Sequence, residues 1–212
     1  MTPRLLKLAS IGGDALRGQE PEPSSLNEAF GVVAADNVRR LLRVKNGFYA
    51  FEGALHVFPD IGTPPERGLY QWNEFPLWRS DYEGMANEAV FFAEDAFGTQ
   101  FCVRGGGIST FDPETGAFEP MAADIEEWAA KILGDFAFWS GHPVARTWQS
   151  QHGPLPIGSR LVPTTPFVLG GKFEASNMHA VDAVKGMQYR ASIAVQIRDL
   201  PDGASITLKV IE

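Results

Sequence analysis

At 212 residues, with 44% apolar and 21% charged side chains, the chain has the composition of a globular protein with a sizeable core, not of a disordered or fibrous one. A formal net charge of −8 argues against nonspecific attraction to nucleic acid; it favours a cationic partner surface, or simply keeps the protein in solution. The one cysteine, Cys102, excludes an internal disulfide, and no apolar run reaches the roughly 18 residues of a membrane span, so a cytoplasmic protein is expected.

The start, MTPRLLKLASIGG, is positively charged, but Lys7 and Ser10 interrupt any apolar signal region. Residues 1–29 are expected to be a mobile N-terminal segment, because 12–25, GGDALRGQEPEPSS, is rich in Gly, Pro and charge. Asp36 can cap a helix with apolar positions Val38, Leu41 and Leu42, which Asn46-Gly47 would end. Residues 48–59, FYAFEGALHVFP, read as strand or packed loop. Residues 60–68, DIGTPPERG, read as loop, since two adjacent prolines remove backbone donors. Next, LYQWNEFPLWRSDYEG places Tyr70, Trp72, Phe75, Trp78 and Tyr82 among polar residues. These aromatics read equally as core beneath a long connection or, with Arg79 and Asp81 interleaved, as a protein-binding face. The candidate binding residues are Trp72, Trp78, Arg79, Asp81 and Tyr82.

Residues 89–121 read as consecutive antiparallel strands. AVFFA breaks at the EDAFG turn, TQFCVR alternates, Gly105–Gly107 turns into ISTF, and DPETG turns into AFEPM. The intervals are too short for parallel crossovers. Asp124 to Leu133 then reads as a helix: Asp124 and Glu127 have capping-box spacing, and Ile125, Trp128, Ala129, Ile132 and Leu133 share one face. That stripe should lie across the sheet. The order helix, strands, helix argues an α+β fold, mainly an antiparallel sheet flanked by helices. Beyond 135, Pro143 opens a helix carrying Trp148, with Gly153 past its end. PLPIGSRLVPTTPFVLGG reads as a wrap around the domain, with no second independent core. Ile193, Ile197 and Leu200 fit one helical face, and ITLKV alternates as a strand.

Chemistry is harder to find. Neither Gly105–Gly107 nor Gly170-Gly171-Lys172 completes a phosphate-binding loop, and no GxGxxG follows a strand. His56, His142, His152 and His179 have no metal-ligand spacing. Ser109 lacks the second glycine of a nucleophile elbow, so a solvent-facing strand residue is expected. Cys102, between Phe101 and Val103, reads as a buried inert thiol. Glu94 and Asp95 are the acid–base candidates, yet neighbours on a strand face opposite sides. Asp95 is expected to cap a turn amide and Glu94 to pair locally or face water. No catalytic, cofactor or metal residue is assigned.

In order, Val90-Phe91-Phe92-Ala93, the turn Glu94–Gly98, Gln100-Phe101-Cys102, Gly107, Phe111-Asp112 and Asp124-Ile125-Glu126-Glu127-Trp128 resemble the SUKH superfamily. That family includes fungal cell-wall regulators of the Smi and Knr type and bacterial immunity proteins. The resemblance covers residues 30–135. Upstream, the chain lacks the family's Pro-x-x-Tyr opening and has Asn46-Gly47-Phe48 in place of Asn-Gly-Gly. It implies a SUKH-like core at 30–135 and a C-terminal extension at 136–212 packing on it. It further implies a non-catalytic protein-binding role without cofactor: an immunity protein neutralising a cognate toxin. The acidic charge fits a basic toxin domain, such as a nuclease, as partner. The alternatives are a regulatory scaffold or adaptor and, behind both, a small hydrolase using Glu94 or Asp95.

Overall fold

The structure is a computed structural model describing residues 3–21, 23–201 and 203–204. The chain opens with helix α1 (Arg4–Ile11), which buries Leu5, Leu8 and Ala9. The Leu5 amide donates to Glu126, 3.2 Å away. Gly13, Leu16 and Arg17 then donate backbone bonds to the carbonyls of Tyr49, Gly47 and Asn46. The expected mobile segment is therefore corrected: the described part of 1–29 is held by an apolar stripe and by backbone pairing, and its composition records only that it lies at the surface. Helices α2 (Pro23–Phe30) and α3 (Val32–Val44) follow, separated by Gly31. Asp36 lies inside α3 and pairs with Arg39 at 3.6 Å instead of capping, because the helix starts earlier, at Val32. Val38, Leu41 and Leu42 form its buried face, as the spacing predicts.

The six strands of the main sheet are β1 (Phe48–Ala50), β2 (Leu55–Val57), β3 (Val90–Asp95), β4 (Gln100–Arg104), β5 (Gly107–Phe111) and β6 (Phe118–Ala122). They lie in sequence order, every neighbouring pair antiparallel, so the fold is α+β with a meander at its centre. The short turns make this arrangement. In DPETG the Asp112 carboxylate accepts the Glu114 amide at 2.7 Å, holding the β5–β6 corner. The aromatic segment at 48–59 resolves into the β1–β2 hairpin.

Between β2 and β3, a short helix α4 (Leu69–Trp72) and a 3₁₀ turn at Arg79–Tyr82 carry Trp72, Trp78 and Tyr82 into the interior. There Trp72 stacks on Phe58 at 5.1 Å, and Trp78 and Tyr82 meet Phe91 and Phe111 edge-on or tilted, with ring centroids 5.0 to 6.2 Å apart. Helix α5 (Ile125–Gly134) covers the sheet as its stripe predicts: the Trp128 ring stands edge-on to Phe92 and Phe101. Asp124 accepts the Glu126 and Glu127 amides, while Glu127 reaches back to the amide of Ala123, one residue before the cap.

The C-terminal part comprises α6 (Phe136–Ser140), α7 (His142–His152), a two-stranded antiparallel sheet of β7 (Ser159–Pro163) and β8 (Met178–Asp182), and α8 (Ala183–Ile197). Its apolar side chains Ala145, Trp148, Leu161 and Met178 close a small cluster against Ala54, Ala96 and Phe97 of the main-sheet turns. Leu161 also donates a backbone bond to Ala96. The proline-punctuated stretch thus contains a strand that ties it to the larger sheet. Leu200 lies beyond the end of α8 and is exposed, because the helix stops at Ile197. The strand expected at 206–210 lies outside the described residues. Among the described residues, no helix is long and apolar enough to cross a membrane.

Candidate functional site

The antiparallel register of β2 and β3 places His56 opposite Glu94. Both side chains are almost wholly enclosed, 3% and 2% exposed. From the other side, β7 sends in Arg160, 2% exposed, whose Nη2 lies 2.6 Å from Glu94 Oε1 and 2.7 Å from His56 Nδ1. An arginine can only donate, so His56 Nδ1 accepts, and the ring proton sits on Nε2. Nε2 faces Glu66 Oε1 at 3.1 Å, off the hydrogen-bond axis. The 3.2 Å approach of His56 Nδ1 to Glu94 Oε1 is then the gap spanned by a shared arginine donor, since both atoms accept. Glu94 Oε2 takes Gln100 Nε2 at 3.1 Å, and Gln100 Oε1 takes the Trp72 indole N–H at 2.7 Å. Tyr49 stacks on the His56 ring at 4.3 Å and lies beneath the Arg160 guanidinium.

Burial by itself would raise the Glu94 pKa, but the Arg160 guanidinium and the Gln100 amide hold it below the ordinary carboxylate range. Burial likewise works against the Arg160 charge, and Glu94 and Tyr49 more than restore it. The cluster is therefore an ion pair completed by hydrogen bonds, the condition under which two buried charges can persist. The space beside His56, Glu66, Glu94 and Arg160 is about 10 Å³, on the scale of a single water. On the other side of Glu66, and sharing Pro65, Glu66 and Arg67 with that space, lies a cleft of about 410 Å³ walled also by Pro64, Gln71, Glu74 and Asp182.

Asp95 faces away from this cluster, as the pleat requires. Its Oδ1 accepts the amides of Phe97 and Thr99 at 2.8 and 2.9 Å, the turn cap expected of it. Burial outweighs those two bonds and pushes its pKa up to about 7. Gly98 completes the turn with φ +80°; a Cβ there would lie 2.5 Å from Arg190 Nη2. Glu94 differs from expectation. It neither pairs locally nor meets water, because its partner Arg160 comes from a strand far along the chain.

Of the five candidate binding residues, Trp72, Trp78 and Tyr82 are core, with their polar atoms satisfied inside: Trp78 Nε1 donates to the Trp72 carbonyl and the Tyr82 hydroxyl to the Pro113 carbonyl. This is a correction to a face built on those aromatics, since buried rings offer a partner no surface. Arg79 is half-buried and Asp81 exposed. The remaining histidines are dispersed. His142 approaches Glu52 at 3.4 Å, His152 stacks on Trp148, and His179 is exposed beside Thr164. Among the described residues, no group of three His, Cys, Asp or Glu side chains is disposed to hold a metal ion. Cys102 is buried, and burial pushes its thiol pKa up to about 12. Ser109, opposite Cys102 on β5, is buried instead of facing solvent.

His56, Glu66, Gln100 and Arg160 complete a cluster of which sequence reasoning singled out Glu94 alone as an acid–base candidate. A signal existed for two of them: His56 between Leu55 and Val57, and Arg160 before Leu161, are polar residues inside apolar strand runs. Buried polar groups of that kind need partners.

The crystal structure of Atu4351 from Agrobacterium tumefaciens is similar to this chain, with a TM-score of 0.53 at 14% sequence identity, covering 90% of this chain and 88% of that one. At that identity the likeness is one of fold. Its span reaches well into the C-terminal part, since residues 30–135 alone could not supply it. No family model matches the sequence, and no curated protein matches it.

Proposed function

We propose that the chain is a SUKH-type module that acts by stoichiometric protein binding, as an immunity protein neutralising a cognate toxin. The observation that carries this reading is the state of Glu94. Its oxygens are occupied by Arg160 and Gln100, and the space beside it has only about 10 Å³. A general acid or base needs to reach a substrate proton from a pocket that admits the substrate. Glu94 is built instead as a fastening between β3 and β7. The ordered motif from Val90 to Trp128 and the net charge of −8 support the same reading, and the protein acts in the cytoplasm, where such a toxin would do its damage.

Co-expression with the product of the adjacent gene tests it. Growth should be restored by the wild-type protein, and the two chains should co-purify at equal stoichiometry. A neighbouring product that is neither bound nor neutralised would remove the immunity role.

A further inference from the structure

A groove of about 510 Å³ runs between the start of α3 and the β4–β5 turn, lined among others by Val32, Val33, Arg79, Glu88, Arg104 and Gly106. Two features set it apart from the rest of an acidic surface. First, its arginines lack counter-ions: among the described residues, no carboxylate lies within 4.0 Å of Arg79 or Arg104. Arg79 is fixed by neutral carbonyls, with Nη1 3.0 Å from the Asn73 oxygen and Nε and Nη2 3.2 and 2.9 Å from that of Ala86. Those bonds orient the guanidinium without neutralising it, and burial pulls its pKa below the ordinary value. Arg104 is held over the Phe118 ring at 4.4 Å, a cation–π contact that steadies the side chain and leaves its edge free. Second, the opposite wall is apolar. Val32 and Val33 are 71% and 60% exposed, side by side in the first turn of α3. That turn contains no acidic residue, and Gly31 offers no side chain to its amides. Glu88 supplies the groove's single carboxylate against the two guanidiniums.

We infer that this groove docks a segment of the partner protein that carries an acidic side chain beside an aliphatic one. The carboxylate meets the open edge of Arg104, with the fixed Arg79 charge on the same lining. The aliphatic side chain covers Val32 and Val33, and the bare backbone at Gly105 and Gly106 leaves room for the segment to pass. The inference rests on the protein-binding reading and deepens it: Arg79 keeps the role suggested for it, while the buried aromatics of its stretch do not. It also gives the partner a chemistry that net charge alone would not suggest, an acidic contact on a surface otherwise complementary to a base.

The test is an amide NMR titration of the full-length protein with a capped leucine–glutamate hexapeptide, its glutamine counterpart and inorganic phosphate. The glutamate peptide should shift the amides of Val32, Val33, Gly105 and Gly106, and the glutamine peptide should not. Arg104→Gln, at an exposed side chain, should weaken the apparent affinity by about tenfold, the loss of one charge-assisted bond. Val33→Asp should do the same; an acid in the first turn suits the helix, so the variant keeps its fold. Equal shifts with both peptides, an unmoved groove, or phosphate displacing the peptide from these amides would overturn the inference. In the co-expression assay, full protection by Val33→Asp would remove the groove and leave the binding role standing. Failure of wild-type protection with peptide binding intact would remove the immunity role and leave the groove.

Discussion

Two arginines of the C-terminal part reach the end of β3 in the main sheet, equally buried, and are held in different ways. Arg160 from β7 ends on a carboxylate, Glu94, at 2.6 Å, with His56 and Tyr49 around it. Arg190 from α8 ends on neutral acceptors: the Phe97 carbonyl, the Gly186 carbonyl at 2.9 Å and the Met187 sulfur at 3.7 Å. Asp95, the carboxylate whose turn Arg190 braces, accepts the amides of Phe97 and Thr99 on Oδ1. The two fastenings lie on neighbouring stretches of β3 and its turn. One is a closed ion pair, and the other is a cation spread over dipoles. The contrast teaches that removing a partner at the first site strands a charge, whereas at the second it strands only hydrogen-bonding groups.

The contrast is open to direct attack. Glu94→Gln should cost about 3–5 kcal/mol in urea denaturation, because Arg160 is left buried without its counter-ion. Adding Arg160→Met should recover most of that loss; a double variant as unstable as the single one would show that Arg160 was never the stranded charge. Next in size is a pH effect at Asp95. Its folded pKa, about 7, stands above its unfolded value, so the folded protein binds the extra proton and stability falls as pH rises from roughly 4 towards 7. The full shift corresponds to on the order of 4 kcal/mol as an upper bound. Asp95→Asn should therefore gain on the wild type across that interval in thermal melts; parallel curves would contradict the burial argument. Glu94 has the opposite sign. Its folded pKa is lowered, so its contribution is present above the ordinary carboxylate value and disappears as pH falls through the folded one. Arg190→Met should cost less, about 1–3 kcal/mol, the range for buried acceptors left unpaired. A loss as large as that of Glu94→Gln would erase the distinction. Smallest of all is Arg198→Ala, which breaks a 2.9 Å pair with Glu83 at the surface and should change stability by about 0–1 kcal/mol.

What could be read in advance follows from how local each cause is. The DPETG corner, the Asp95 turn and the Asp124 cap are made by side chains bonding amides two or three residues away, so a short window of sequence contains the whole reason for them. The meander from Val90 to Ala122 was legible for the same reason, through connections too short for anything but hairpins. The site was not. His56, Glu94 and Arg160 meet because three strands from separate parts of the chain converge, and no window contains two of them. The aromatics at 70–82 show the limit in another form: Trp72 and Trp78 stand among polar residues, and only the space beside Phe58 and Phe91 decides that they turn inward. The N-terminal misreading came from treating Gly, Pro and charge as freedom, when Leu5 and Leu8 three residues apart carried the packing signal.

The pairing of residues 13–17 with the outer side of β1 has a consequence for crowding. A meander has two open borders, each able to recruit a strand from another molecule. Here Gly13, Leu16 and Arg17 occupy one border. At the other, Pro120 brings no N–H, and the Lys131 ammonium caps the Met121 carbonyl. Both borders of the main sheet are thus obstructed against strand addition, and a deletion of residues 3–17 would expose the β1 border to self-assembly.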